Sequence, residues 1–159
     1  MSIFNIRVYG LLINAKNEIL VTDEFRFGKE IIKFPGGGLN WGEGTIDCLK
    51  REFMEELGCT VEVVRHFYTT DFFQASAFHS NHQLISIYYV VEVPVLQKAN
   101  TATLFKEKNE QGHPFREKTA EGEQSFRWVK IEKIDPDEFT FPIDKIVAKM
   151  LSNYSPSGK

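Results

Sequence analysis

The segment from Thr45 to Leu57 constrains the fold most, because it reads as a helix with both ends marked. Thr45 is the expected N-cap, Asp47 sits in the first turn near the positive end of the helix dipole, and Gly58 occupies the C′ position. Ile46, Leu49, Phe53 and Leu57 share a stripe about 80° wide, which has to be buried against the rest of the chain. The flanking segments are strand-like. Phe4, Ile6 and Val8 alternate with Asn5 and Arg7 ahead of the apolar run 11–13, and 14–18, NAKNE, reads as a turn. Further strands are expected at 19–22, 31–34, 60–64, 84–93 and 125–131, with Pro-Gly-Gly-Gly at 35–38 ending regular structure after the second of these.

A second helix opens at Pro142, with Ile143, Ile146, Val147, Met150 and Leu151 at the spacing of a core-facing stripe. Strands, helix, strands, helix in that order indicate an α/β chain of the α+β type. The expected form is an α/β/α sandwich with a mixed β-sheet, not a strictly alternating doubly wound fold. Residues 1–152 are expected to form one domain and 153–159 a flexible polar tail.

Hydrophobic residues at 42% and charged residues at 26% place the chain among globular proteins, and a net charge of −3 gives no general surface for a nucleic-acid polymer or a membrane. No run approaches the ~18 apolar residues of a membrane span, and the opening residues lack the pattern of a secretory signal, so a cytoplasmic protein is expected. Cys48 and Cys59 form no CxxC pair, which argues against a disulfide scaffold or a cysteine-based zinc site and favours reduced thiols.

The first helix also breaks two rules of helix stability. Glu52, Glu55 and Glu56 crowd an arc of about 100° at i, i+3 and i+4 spacing, where each like-charge pair costs a few tenths of a kcal/mol. Glu55 and Glu56 lie in the last turn, at the negative end of the dipole. Such conflicts concentrate at functional sites. A hard divalent cation would turn the crowding into affinity, since Mg²⁺ and Mn²⁺ take oxygen ligands from adjacent turns. Arg51, four residues before Glu55, is placed to orient it.

Gly37, five residues, Glu43, seven residues, then Arg51-Glu52-Phe53-Met54-Glu55-Glu56-Leu57-Gly58-Cys59 resembles the Nudix box G-x5-E-x7-R-E-U-x-E-E-x-G-U, where U is a bulky aliphatic. All seven fixed letters match, and by composition alone such a match arises about once in 10⁸ starts. The strand and helix order is similar to the Nudix fold over the whole domain.

The resemblance implies hydrolysis of a nucleoside diphosphate linked to another moiety, with Mg²⁺ or Mn²⁺ as cofactor. It implies Glu52 and Glu56 as principal metal ligands, Glu55 as a further ligand acting directly or through water, Glu43 as an outer carboxylate and Arg51 as an orienting residue. A backbone carbonyl of Gly36 or Gly37 would add an oxygen ligand where the glycines let the backbone approach. A late loop carboxylate, Glu121 or Glu123, would be a base or ligand, and Arg26 and Lys29 would contact phosphate. The partner implied is a small nucleotide or nucleotide-sugar, with room for a homodimer.

Two other Nudix-fold classes stay open: a nucleotide-binding regulator that does not hydrolyse, and an isomerase acting on a diphosphate. The proline and tyrosine that mark ADP-ribose and dinucleoside-polyphosphate specificity are absent; Gln74, Ala75, Ser76 and Ala77 stand there instead. His79 and His82 read as a polar loop, and most of Phe67, Tyr68, Phe72, Phe73 and Phe78 as core.

Overall fold

A computed structural model describes residues 3–26, 28–94, 117–119 and 122–153 of the chain. Among the described residues, eight strands and two α-helices run in the order β1 (Ile3–Leu12), β2 (Glu18–Arg26), β3 (Lys29–Lys33), β4 (Gly36–Gly38), α1 (Thr45–Leu57), β5 (Glu62–Thr69), β6 (His82–Glu92), β7 (Glu117–Thr119), β8 (Gly122–Lys130) and α2 (Pro142–Ser152). The α+β class, the mixed sheet and both long helices agree with the sequence reading. The strands divide between two four-stranded sheets, ordered β4-β1-β6-β5 and β3-β2-β8-β7. The chain correspondingly falls into two compact units, one drawn from Met1–Leu12 and Pro35–Leu104, the other from Ile13–Phe34 and Phe105–Lys159.

In the first unit β1 and β6 pair in parallel from Ile3↔His82 to Leu12↔Val91, while β4 and β5 pair antiparallel at the two edges. Val8, Leu11, Leu49, Phe53 and Tyr88 are buried here, and the Phe53 ring rests on Gly10, in the space a Cβ would need. The buried side of α1 is Cys48, Leu49, Phe53 and Leu57. Ile46, expected in that stripe, is 44% exposed, because Cys48 turns inward in its place and donates to the Gly38 carbonyl at 3.4 Å.

The helix start also differs from expectation. Gly44 is the extended N-cap, with Cys48 N–H donating to its carbonyl at 2.9 Å. The Thr45 hydroxyl instead lies 2.8 Å from the Tyr89 hydroxyl on β6, a tertiary contact that displaces the local cap. Gly58 ends the helix as expected, in the left-handed region at φ 62°.

In the second unit every strand pairing is antiparallel. The turn at 14–18 forms as read: Asn14 Oδ1 accepts from the N–H groups of Lys16 and Glu18 at 2.9 and 3.0 Å, so β2 leaves it in register. One face of β2 carries a buried ion pair, Lys33 Nζ to Glu24 Oε1 at 2.8 Å, with the Gln124 amide donating to the same oxygen at 3.5 Å. Pro142 opens α2 as expected, and Ile143, Val147 and Leu151 are buried while Ile146 and Met150 lie at its margin, 38% and 39% exposed.

Pro-Gly-Gly-Gly does not end regular structure. Gly36–Gly38 is an edge strand against β1, in register Tyr9↔Gly36, Val8↔Gly37 and Arg7↔Gly38, extended by Leu39 N–H to the Ile6 carbonyl at 2.9 Å. Gly36 stands at φ 135°, and a Cβ there would run into the Val8 carbonyl oxygen. Replacing Gly36 with Ala should therefore cost about 3 kcal/mol of stability, read as a lowered denaturant midpoint at unchanged slope. An unchanged midpoint would show that β4 is not held in this register.

Candidate functional site

The five box side chains Glu43, Arg51, Glu52, Glu55 and Glu56 all belong to the first unit, on α1 or on the turn leading into it. Arg51 is their hub. Its Nε and Nη2 donate to the two oxygens of Glu43 at 2.6 and 2.9 Å, a two-pronged grip that matches the fork of a guanidinium. Its Nη1 donates to Glu52 Oε1 at 2.9 Å and to Glu55 Oε2 at 3.2 Å, the contact that the i, i+4 spacing suggests. Nη2 also donates to the Gly38 carbonyl at 3.0 Å, which ties the helix to β4.

The electrostatics follow from this grip. Hydrogen bonds from Arg51, then one from Asn40 N–H, hold the Glu43 carboxyl down from its ordinary 4.5 to about 2. The same bonds, with Glu43 first, raise the proton affinity of Arg51, so the guanidinium is permanently charged. Burial, reinforced by the charge of Glu43, pushes the Cys48 thiol up to about 12, which keeps it a protonated donor and an inert one.

β4 lies along the other side of the carboxylates. Glu56 Oε2 accepts from Gly36 N–H at 3.2 Å. The Glu52 carboxylate lies against Gly37, so closely that a Cβ on that residue would overlap it. A side chain at 37 would push the Glu52 carboxylate off the strand, while glycine at 36 is required by the backbone angle.

The site holds carboxylate oxygens and backbone carbonyls, the donor types that suit a hard divalent cation. Glu52 and Glu56, one turn apart on α1, both face the glycine strand. Among the described residues no three His, Cys, Asp or Glu side chains are gathered so as to hold one metal ion. The cause is visible in the contacts: Glu43, Glu52 and Glu55 turn toward Arg51, and Glu56 toward Gly36. The residues fit such an ion in kind, with Arg51 standing as the cation among them.

The remaining sequence candidates belong to the second unit or fall outside the described residues. Arg26 ends β2 opposite Lys29, which begins β3, and the Arg26 guanidinium lies 3.9 Å from Glu24. Glu123 is not in a loop: it is a β8 residue, paired across to Phe25 and Lys118, because β8 begins at Gly122, three residues earlier than the apolar pattern suggests. Glu121 and the tail from Tyr154 lie outside the described residues. His79 and His82 stand with ring centroids 5.0 Å apart. Phe72, Phe73 and Phe78, on the connection from β5 to β6, are 37%, 73% and 48% exposed and not core.

Sequence reasoning missed the Gly38 carbonyl and the Asn40 N–H as members of the Arg51–Glu43 cluster. The run Gly36–Gly38, ending five residues before Glu43, is the signal that could have pointed to them.

A Nudix domain model matches residues 4–150. The chain belongs to the Nudix family. No curated protein sequence matches it. Solved structures share the fold: a Nudix hydrolase from Nitrosomonas europaea has 16% identity and a TM-score of 0.63, covering 96% of this chain and 93% of that one. A MutT protein from Methanosarcina mazei Go1 has 20% identity and a TM-score of 0.63, with coverage of 96% and 95%. A MutT Nudix hydrolase from Burkholderia pseudomallei has 14% identity and a TM-score of 0.62, with coverage of 92% and 96%. Among the described residues no helix is long and apolar enough to cross a membrane.

The depressed Glu43 carboxyl gives a pH signature. Such a group adds stability that is complete above its unfolded value and is lost as pH falls through its folded one. The stability advantage of the wild type over Glu43→Gln should be constant near neutrality and shrink between about pH 4.5 and pH 2, measured by urea denaturation across that window. A difference that stays constant down to pH 2 would mean the Arg51–Glu43 grip does not form.

Proposed function

We propose that this Nudix chain hydrolyses the pyrophosphate linkage of a nucleoside di- or triphosphate derivative, with Mg²⁺ or Mn²⁺ held on α1. The observation that carries the reading is the placement of Glu52 and Glu56 against the side-chain-free strand Gly36–Gly37. Glu52 and Glu56 would be the principal ligands, with Glu55 and a carbonyl of Gly36 or Gly37 completing the set. Glu55 is loosely held, its side chain 59% exposed and bonded by Arg51 at 3.2 Å, the longest of the Arg51–carboxylate contacts. When bound, the cations supply charge neutralisation on the phosphate oxygens and a water of lowered pKa.

The chain's own residues do the positioning. Arg51 keeps the carboxylates from repelling the helix apart, and it fixes Glu52 through one oxygen only, leaving the other directed elsewhere. Glu43 holds Arg51 in turn and takes no part at the ligand itself. The glycines let phosphate oxygens and carboxylates approach the same stretch of backbone without a Cβ between them. The substrate class is a small nucleotide, in line with the family.

Incubation with Mg²⁺ or Mn²⁺ and a panel of nucleoside triphosphates, nucleotide sugars and other nucleoside diphosphate derivatives, following release of phosphate, pyrophosphate or nucleoside monophosphate, tests the reading. Folded protein that releases none of them would sink it. A rearranged product with the phosphate count unchanged would mark an isomerase, and metal-independent stabilisation without turnover a binding regulator. Glu52→Gln or Glu56→Gln should lower kcat about 100-fold or more while thermal stability stays within about 1 kcal/mol of wild type. A large loss of stability instead would make these acids structural.

A further inference from the structure

Trp41 is fully exposed, at 105% of the reference for the residue, although its backbone is tightly tied. Asn40 N–H donates to Glu43 Oε2 at 2.9 Å and Glu43 N–H to the Asn40 carbonyl at 3.3 Å. Gly42, at φ 85°, takes the positive-φ third position of that four-residue turn, which leaves Trp41 at its outer corner. Glu43 is gripped by Arg51, so the guanidinium that meets Glu52 and Glu55 also fastens the mount of the indole.

Singly exposed apolar residues need no explanation, and Phe73 on the β5–β6 connection is one of them. Trp41 differs in its mount. Trp is a residue type that folding buries heavily on average, and here it is held on a rigid turn with no hydrogen-bond or ring partner among the described residues. A rigidly presented, unsupported indole is the form in which aromatic rings bind flat partners at low entropic cost. Trp41 stands two residues before Glu43, whose carboxylate shares the Arg51 guanidinium with Glu52 and Glu55, so the indole is mounted on the same cluster as the acids of α1.

We propose that Trp41 is a stacking platform for the base of the nucleotide substrate; this rests on the hydrolase reading above. Stacking uses the π-face that every base has, so the platform adds affinity without selecting among bases. Phosphate contacts are left to α1 and β4.

The test is binding of the four common ribonucleoside diphosphates, with inorganic pyrophosphate as the baseless control, all in Mg²⁺ and read by indole fluorescence and by competition with turnover. The nucleoside diphosphates should quench wild-type emission and pyrophosphate should not. Trp41→Phe should remove the quench yet keep affinity within about threefold. Trp41→Ala should weaken all four nucleotides about tenfold and alike, with kcat and pyrophosphate affinity unchanged.

Unchanged nucleotide affinity in Trp41→Ala, or equal weakening for pyrophosphate, would overturn the platform while leaving the hydrolase reading intact. Trp41-dependent quenching without turnover of any substrate would support the platform and sink the hydrolase reading. No binding by any of the four nucleotides would overturn the platform outright.

Discussion

One guanidinium holds the first unit's acidic helix together. Without Arg51, three carboxylates within two turns, two of them at the negative end of the helix dipole, would repel one another and the helix that carries them. With it, Glu43, Glu52 and Glu55 each find a cationic donor between 2.6 and 3.2 Å, and the same group reaches across to the Gly38 carbonyl. The helix, the turn before it and the strand before that are thereby fixed by a single side chain. That is a demanding use of one residue, and only arginine has the donors for it: lysine's three rotatable N–H groups cannot fork onto Glu43 while holding two further acids and a carbonyl.

The strand Gly36–Gly38 is the complement of that helix. Its lack of side chains is what lets Glu52 rest on Gly37 and Glu56 reach Gly36 N–H, so acids that would otherwise face solvent face backbone. The arrangement gives up stability twice, in like-charge crowding and in three glycines that lose the most freedom on folding. Functional sites are where such concessions gather. The second unit shows the contrasting solution, in which one buried acid, Glu24, meets Lys33 at 2.8 Å, with Arg26 and the Gln124 amide beside it.

Most of the fold was legible because periodicity reports burial directly. The alternation in β1, the β-branched run of β6 and the stripe of α2 all correspond to the elements found. Where the reading failed, the deciding interaction lay outside the local pattern. β4 consists of three glycines, whose pairing is made by backbone alone and leaves no side-chain signal. Thr45 looked like a cap, but the Tyr89 hydroxyl, 44 residues away, claims its oxygen. Glu123 looked like a loop acid because polar residues begin β8, where pairing with β2 and not hydrophobicity makes the strand. The candidate site was legible in more detail than the fold, since the spacing of the acids and of Arg51 already implies their geometry on one helix. What spacing could not give was the direction of each carboxylate, which depends on contacts to β4.

The oxygen site proposed for a divalent cation consists of Glu52 and Glu56, steadied by Arg51 and facing the glycine strand. Titration of the protein with Mn²⁺, following loss of the free-ion signal by electron paramagnetic resonance, tests that claim without reference to any substrate. Wild-type protein should remove at least one equivalent of Mn²⁺ from solution, Mg²⁺ should compete for it, and Glu56→Gln should bind markedly more weakly while remaining folded. Wild-type protein that leaves the free Mn²⁺ signal unchanged, or a Glu56→Gln variant that binds as well as wild type, would contradict it.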